Sequence, residues 1–224
     1  MYGIGKTALV LGATGVTGTA VVMQLLQDYR YERIVVLSRT PLPFTHYKIE
    51  EHIVDLLQLK HHEELFVADD VFCCVGTTAA KTPNREHYKA IDYGIPVAAA
   101  KLALAKEIRN FVVVSSLGAN ASSSVFYSKL KGEMEEAVLA LGLRNTYVMQ
   151  PSLISGNRKE SRPGERFAKL VMNKGSFLFL GPLKKYKPVA PEAIAKAMIW
   201  AVNTPDVATR IPSDKIQEIA QYIK

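Results

Sequence analysis

The sequence predicts an α/β fold, a doubly wound parallel sheet, and three observations lead to this prediction. Short, continuous apolar segments such as Val71–Val75 and Phe111–Val114 are typical of parallel strands covered on both faces. They alternate with longer segments of helical periodicity, as in βαβ units. A glycine-rich turn, Gly12–Gly18, joins the first apolar strand to the first helix. The 224 residues are enough for one domain with one large core.

Apolar periodicity and turn residues set the expected elements. We expect strands at Thr7–Leu11, Arg33–Leu37, His52–Val54, Val71–Val75, Phe111–Ser115 and Thr146–Met149. We expect helices at Val16–Asp28, Glu86–Glu107, Val125–Leu141, Glu192–Val202 and Ser213–Tyr222. After Pro151 the pattern predicts a loop over Arg158–Gly164, a short helix over Glu165–Asn173 and a turn or strand over Lys174–Gly181. Residues 152–190 are therefore expected to form a small substrate-facing lobe of a single domain, residues 1–224.

Composition restricts the classes of partner. The net charge is +7, but the basic residues are dispersed apart from Lys184–Lys187 and Arg158–Arg166, and no nucleic-acid-binding signature accompanies them. We expect a small-molecule substrate and no nucleic-acid partner. No apolar run reaches the roughly 18 residues that span a bilayer, so no membrane span is expected. The glycine turn begins too early to leave room for a signal peptide.

The two cysteines, Cys73 and Cys74, are adjacent in a predicted strand. Neighbouring strand residues point to opposite faces, so we expect two buried thiols and no disulfide. Unpaired thiols suit a reducing compartment, which predicts a cytoplasmic protein. The His61–Glu64 segment has the composition of a metal site, but adjacent histidines diverge on a helix. We expect a solvated face there and no metal site.

The glycine-rich turn is the first candidate binding site. Gly12, Gly15 and Gly18 follow a strand and open a helix, which presents backbone N–H groups to a pyrophosphate. A Cβ would block the turn or hold the phosphates away. The second predicted strand ends in Ser38-Arg39, without the acidic residue that favours NAD. A guanidinium suits a 2′-phosphate, so the sequence predicts NADP(H), although Arg39 is also compatible with a surface arginine that begins a loop.

Tyr127 and Lys131 are the candidate catalytic pair. They lie four residues apart on a predicted helix and therefore on one face. Tyrosine titrates near pH 10, and making it a proton donor and acceptor at pH 7 costs about 4 kcal/mol, part of which a nearby ammonium supplies. This helix follows a strand that ends in Ser115-Ser116, where a hydroxyl can bond a substrate carbonyl. The pattern predicts proton transfer by Tyr127.

Together, the GATGVTG turn, the serine pair and the Tyr-x-x-x-Lys spacing resemble the atypical short-chain dehydrogenases/reductases. Gln150–Ser152 and the string Asn157–Glu165 are similar to the Tat-interacting-protein-like oxidoreductases, which have an NAD(P)-binding Rossmann fold. The resemblance extends over nearly the whole chain, and its most specific part is Glu-Ser-Arg-Pro-Gly-Glu, Glu160–Glu165. It implies a Rossmann domain that binds NADP(H).

The resemblance also implies roles for single residues. The pyrophosphate would be held by Gly12, Thr14, Gly15, Val16, Thr17 and Gly18. Other cofactor contacts would come from Ser38, Arg39, Asp55, Leu56, Val75, Gly76, Thr77, Ser115, Tyr127, Lys131, Gln150, Pro151, Ser152 and Ile154. Ser116, or Ser115 if the register slips by one, would orient the substrate, with Tyr127 as the acid/base and Lys131 as its partner. Typical members have a relay asparagine where this chain has Asp92, which leaves the relay open.

The sequence thus predicts an NADP(H)-dependent oxidoreductase that acts on a carbonyl or alcohol. Two other hypotheses stay open at this point: a non-catalytic NADP(H)-sensing or scaffold protein, and an epimerase of the sugar-nucleotide type on the same fold. Arg158, Arg162 and Glu165 either clamp a polar substrate or form surface ion pairs.

Overall fold

In the computed structural model, residues 5–155 and 185–222 are described, and seven strands form one parallel sheet. The strands are β1 (Lys6–Leu11), β2 (Tyr31–Ser38), β3 (Ile49–Ile53), β4 (Asp70–Cys73), β5 (Asn110–Val114), β6 (Asn145–Gln150) and β7 (Arg210–Pro212). Their order is β3-β2-β1-β4-β5-β6-β7, so the direction of winding reverses between β1 and β4. This is the order of a doubly wound Rossmann sheet, and the predicted fold class is confirmed.

Helices cover both faces of the sheet. They are α1 (Val16–Gln27), α2 (Arg85–Lys89), α3 (Ile95–Ala105), α4 (Phe126–Leu139), α5 (Pro191–Asn203) and α6 (Ser213–Tyr222), with a 3-10 segment at Leu56–Leu65 and a π-helical segment at Ala90–Gly94. Alternate β1 residues face opposite ways: Val10 joins the core under α1 and α5, whereas Leu9 joins the core under α3 and α4. Burial on both sides explains why the strands are apolar throughout.

Strand β3 begins three residues earlier than predicted and the 3-10 segment was not predicted, and two further departures concern β7 and the helix expected over Glu86–Glu107. Strand β7 was not predicted, because three residues that include a proline give no readable alternation, and it pairs with the end of β6 at the edge of the sheet. The long helix predicted over Glu86–Glu107 is divided by the π-helical segment. That division has a consequence for the site, since the π-helical segment contains Asp92.

Only the two ends of the predicted lobe belong to the described residues. They pair with each other: Ile154 and Val189 form a parallel bridge, and the Ser155 N–H donates to the Val189 carbonyl at 2.8 Å. The loop, helix and turn expected between Arg158 and Gly181 lie outside the described residues, as does the string Asn157–Glu165. The single-domain arrangement with this lobe stays a prediction.

Both cysteines are free thiols, as expected, but only Cys73 is buried, and Cys74 is partly accessible. Burial raises the pKa of the Cys73 thiol to about 11, so this group stays protonated at neutral pH. Among residues 5–155 and 185–222, no helix has both the length and the apolar character needed to cross a bilayer.

Candidate active site

The glycine-rich turn lies at the carboxyl end of β1, where the winding direction reverses. Gly12 has a φ of +79°, and a Cβ there would lie 2.9 Å from the backbone of Cys74. A Cβ on Gly18 would overlap the Gly12 carbonyl, so α1 packs directly onto the turn. Gly15 is less restricted, because its Cβ would lie 3.3 Å from the same oxygen. Gly12 and Gly18 are therefore required by the packing of the turn itself.

The first turn of α1 is available to an anion. The first N–H groups of an α-helix have no intrahelical partner, and Gly15 caps this helix without a side-chain hydrogen bond. No acidic residue lies in the first turn to neutralise the helix dipole. A cavity of about 460 Å³ adjoins this turn. Its lining residues are Thr14, Val16, Thr19, Ser155, Ala190, Pro191 and Glu192. The missing Cβ atoms, the N–H groups and the cavity fit the pyrophosphate of a dinucleotide.

Gly18→Ala is expected to abolish tight dinucleotide binding, because the added methyl group must push α1 away from the turn. Overpacking of this kind also costs about 1–3 kcal/mol of unfolding free energy. Calorimetric titration with NADPH and urea denaturation measure the two effects. Gly94→Ala is the matched control, since the nearest atom to its Cβ lies at 3.9 Å. Equal NADPH affinity in Gly18→Ala and the wild type would contradict the assignment of the turn.

The predicted adenine-side residues lie at the ends of β2 and β3 and differ in availability. Ser38 is buried, and its hydroxyl donates to the Thr40 carbonyl at 2.7 Å. Arg39 is exposed, and its guanidinium forms no hydrogen bond or ion pair with any residue that the structure describes. Asp55 caps the 3-10 segment by accepting a backbone N–H, and the Leu56 side chain is buried. Arg39 is thus the side chain of this group that is free to bind a phosphate.

The loop after β4 is tied to the π-helical segment. Val75 is buried, Gly76 is exposed, and the Thr77 N–H donates to Asp92 Oδ2 at 2.7 Å. The other carboxylate oxygen of Asp92, Oδ1, lies 2.8 Å from Lys131 Nζ. Asp92 therefore links this loop, predicted to face the cofactor, to the lysine of α4.

One face of α4 carries three functional groups at four-residue spacing: Tyr127, Lys131 and Glu135. Tyr127 is half-buried, whereas only 3% of Lys131 and 2% of Glu135 are exposed. Burial disfavours the Lys131 ammonium, but the charge of Asp92 and, after it, the proximity of Tyr127 favour it. The net result is a raised pKa, so Lys131 is charged at neutral pH. The residue that departs from the family pattern thus provides the counter-ion of the candidate catalytic lysine.

Glu135 distinguishes the two serines that follow β5. The Ser115 hydroxyl donates to Glu135 Oε1 at 2.6 Å, and the Gln150 amide donates to both carboxylate oxygens at 2.9 and 3.0 Å. Ser116 is also buried, but its hydroxyl has only a long contact of 3.5 Å with the Leu117 carbonyl. Ser116 is therefore the serine with a hydroxyl available to a substrate, and Ser115 and Gln150 have their side chains turned to Glu135.

The loop between β5 and α4 packs closely on the helix. The Asn120 N–H donates to the Ser128 carbonyl at 2.9 Å, and a Cβ on Gly132 would overlap the backbone of Asn120 and Ala121. Beside it, the Leu117 N–H donates to the Pro151 carbonyl at 2.8 Å, which joins the loops after β5 and β6. These contacts hold the Ser116 loop against the helix that carries Tyr127.

Ser152 and Ile154, predicted to contact the cofactor, also join residues 152–154 to residues 187–189. The Ser152 hydroxyl donates to the Lys187 carbonyl, and Ile154 pairs with Val189. Sequence reasoning missed Glu135, Gly132 and Arg210. Glu135 continues the four-residue spacing from Tyr127 and Lys131, so extending that pattern by one helical turn could have found it.

Arg210→Ala is expected to destabilise the fold by about 1–2 kcal/mol, because it removes the cation from a buried carboxylate. Arg210 Nε lies 2.9 Å from Glu135 Oε2, and the exposed fractions of their side chains are 48% and 3%. The half-exposed arginine keeps the effect below that of a fully buried pair. Urea denaturation measures it against Arg33→Ala, which breaks an ion pair with Glu50 whose partners are 44% and 42% exposed. A smaller loss in Arg210→Ala than in Arg33→Ala would refute this role.

Comparisons with known proteins agree with the fold. Residues 8–174 match the model of the NAD dependent epimerase/dehydratase family. Protein FMP52, mitochondrial, of Candida albicans is 34% identical over 180 residues, 77% of this chain and 79% of that protein. Protein HTATIP2 of Rattus norvegicus is 32% identical over 168 residues, 73% of this chain and 69% of that protein. The Bordetella bronchiseptica enzyme WbmH, in complex with NAD+, has a TM-score of 0.67 at 15% identity and covers 97% and 80% of the two chains.

These comparisons contradict the cytoplasmic location expected from the sequence. Several of the similar proteins are named as mitochondrial. The prediction was wrong because it was derived from unpaired thiols. A free thiol indicates that the surroundings do not oxidise it and carries no information on which compartment they are.

Proposed function

This chain belongs to the NAD dependent epimerase/dehydratase family, and from that premise we propose that it is an NADP(H)-dependent oxidoreductase acting on a carbonyl or alcohol. The predicted resemblance to short-chain dehydrogenases/reductases is thereby confirmed. The observation that carries the proposal is the position of the Lys131 ammonium, which Asp92 holds on the helix face that also carries Tyr127. A cation at that place favours the phenolate and so assists proton transfer.

In the proposed reaction the protein's own residues bind the substrate oxygen and transfer the proton to it. Ser116 donates a hydrogen bond to the carbonyl oxygen, and Tyr127 transfers a proton to the same oxygen as the alcohol forms. Lys131 lowers the cost of leaving Tyr127 without its proton, to the extent that Asp92 leaves its charge uncompensated. When bound, the reduced nicotinamide supplies the hydride. The glycine turn and the first turn of α1 bind the pyrophosphate and so position the cofactor relative to the substrate.

Arg39→Ala is expected to weaken NADPH binding about tenfold or more and to leave NADH binding within about twofold. The reason is that Arg39 has no partner among the residues described, so its guanidinium is free for the 2′-phosphate, which NADH lacks. Calorimetric titration of both cofactors measures the ratio of affinities. Lys101→Ala, which removes an exposed cation elsewhere, is the control. Equal losses for NADPH and NADH would remove Arg39 from the proposed specificity.

The test of the proposed activity is oxidation of NADPH by a panel of aldehydes and ketones, followed by the absorbance of the reduced nicotinamide. Turnover that consumes one NADPH for each alcohol formed supports the oxidoreductase. Tight NADPH binding without consumption by any carbonyl contradicts it and supports the sensing or scaffold hypothesis.

The second candidate function is epimerisation of a nucleotide sugar, and the matching family model favours it. An epimerase returns its cofactor to the starting state, so no net NADPH or NADP+ is used. Incubation of the protein with nucleotide sugars and analysis of the products by NMR distinguishes the two. A new epimer formed without a change in cofactor absorbance would replace the oxidoreductase by this alternative.

A further inference from the structure

A second cavity, of about 450 Å³, lies at the amino ends of β1, β5 and β6, whereas the glycine turn lies at the carboxyl end of β1. Arg109 and Arg144 line it and directly precede β5 and β6. The first residues of these strands, Asn110 and Asn145, are partners in the sheet register, so the backbones of the two exposed arginines lie next to each other. The end of α5 and the loop after it, Asn203–Asp206, line the other side. We call this space the amino-edge cavity.

The wall of the amino-edge cavity rests on a buried polar network centred on Asp70, which is fully buried. Asp70 accepts hydrogen bonds from Tyr31 at 2.6 Å, from the Asn110 amide at 2.5 Å and from Lys6 Nζ at 3.0 Å. Lys6 also donates to Asn203 at 2.8 Å. The Lys6 and Asp70 charges compensate each other, and the network holds Lys6, Asn110 and Asn203, three of the residues that line the cavity.

Three side chains of the amino-edge cavity can donate hydrogen bonds and have no acceptor among the described residues. The guanidinium groups of Arg109 and Arg144 make no hydrogen bond or ion pair with residues 5–155 or 185–222. Tyr147 is only 7% exposed, lines the same cavity, and its hydroxyl has no hydrogen-bond partner among those residues either. Burial and the nearby Asp70 raise the pKa of Tyr147, so its hydroxyl is a donor at neutral pH.

The charges around these donors favour an anion. Arg109 and Arg144 contribute two positive charges to the cavity lining. Asp206 contributes the one negative charge among the described lining residues, so these three residues leave a net positive charge. The Tyr147 hydroxyl is reached by solvent although its ring is buried, so it can donate a hydrogen bond to an acceptor atom of a ligand. Guanidinium pairs bind phosphate oxygens in bidentate geometry, which a lysine cannot do.

We propose that the amino-edge cavity is a second ligand site, which binds a small molecule through a phosphate group held by Arg109, Arg144 and Tyr147. The volume is within the range of small-molecule pockets and leaves room for the sugar or nucleoside that carries the phosphate. The site lies at the amino ends of the strands, whereas the proposed cofactor site lies at their carboxyl ends. The proposal does not depend on the proposed activity.

Titration of the isotopically labelled protein with AMP, inorganic phosphate and adenosine, followed by NMR, tests the proposal. We expect saturable shifts of the Asn110 and Asn145 amides with AMP and phosphate and none with adenosine. Arg109→Ala/Arg144→Ala is expected to weaken AMP binding about tenfold or more, and Tyr147→Phe, which keeps the ring, about threefold. Lys60→Ala/Lys101→Ala removes two exposed cations elsewhere and is expected to leave AMP affinity unchanged.

Two results would overturn the proposal. One is the absence of saturable shifts at this edge with AMP or phosphate at concentrations up to about 10 mM. The other is a set of shifts confined to Gly12–Gly18 that the double arginine variant does not alter, since AMP would then occupy the dinucleotide site. A fold defect in the arginine variant is recognised by its amide spectrum, and Tyr147→Phe then decides, because equal AMP affinity in that variant counts against the site.

Discussion

Tyr127→Phe is expected to lower NADPH-dependent carbonyl reduction by about 10²–10⁴-fold, the range that general acid–base catalysis contributes. The substitution removes one hydroxyl from a half-buried ring and leaves the Lys131–Asp92 ion pair in place. Tyr127 makes no hydrogen bond to another described residue, so its loss is not expected to lower stability measurably. The affinity for NADPH is expected to stay within a few-fold of the wild type. The effect therefore lies on turnover and not on binding or folding.

The steady-state rates of wild type and Tyr127→Phe, together with NADPH titrations, measure this separation. Tyr29→Phe serves as the control, because it removes a hydroxyl from a ring that is 85% exposed and remote from α4. Equal turnover in wild type and Tyr127→Phe would exclude Tyr127 as the proton donor, whatever the substrate.

Asp92→Asn is expected to destabilise the protein by about 3–5 kcal/mol, because it leaves the Lys131 ammonium buried without a counter-ion. Only 1% of Asp92 is exposed, and its distance to Lys131 Nζ is 2.8 Å. Lys131→Met is expected to be destabilising as well, since it leaves a buried carboxylate whose described partner is the Thr77 N–H. The double variant removes both charges and is expected to recover most of the stability.

Urea denaturation of the two single variants and the double variant completes this cycle. The double variant is expected to remain inactive, because the cation that favours the Tyr127 phenolate is absent. The raised pKa of Lys131 sets the pH range of the effect. A group whose pKa is raised by folding contributes stability that is fully present below its ordinary value of 10.5 and lost as the pH rises through its folded value. Additive losses in the cycle at neutral pH would contradict a direct ion pair.

The sequence predicted the fold because its strands are buried on both faces. Val10 and Leu9 belong to different cores, so an unbroken apolar run was the correct expectation for β1 and its neighbours. The glycine turn could also be predicted from the sequence, because a Cβ at Gly18 would overlap the Gly12 carbonyl and glycine is the residue without a Cβ. Strand β7 was not predicted because its position depends on pairing with β6, which no local pattern of three residues encodes.

Long-range contacts account for what the sequence did not predict in the candidate site. Asp92 could be placed on a helix, but its pairing with Lys131 depends on how that helix packs against α4. Likewise, the choice between Ser115 and Ser116 was open in the sequence, because it depends on Glu135, twenty residues away from Ser115 along the chain. Such pairings join residues distant in sequence, and periodicity carries information only on near neighbours.

The most direct test of the central claim is an experimental structure of the protein with bound NADP+. We predict the pyrophosphate at the Gly12–Gly18 turn over the first N–H groups of α1, the 2′-phosphate in contact with Arg39, and the nicotinamide beside Tyr127. A cofactor that lies outside the glycine turn, or a nicotinamide remote from Tyr127, would contradict the proposed site and the reaction assigned to it.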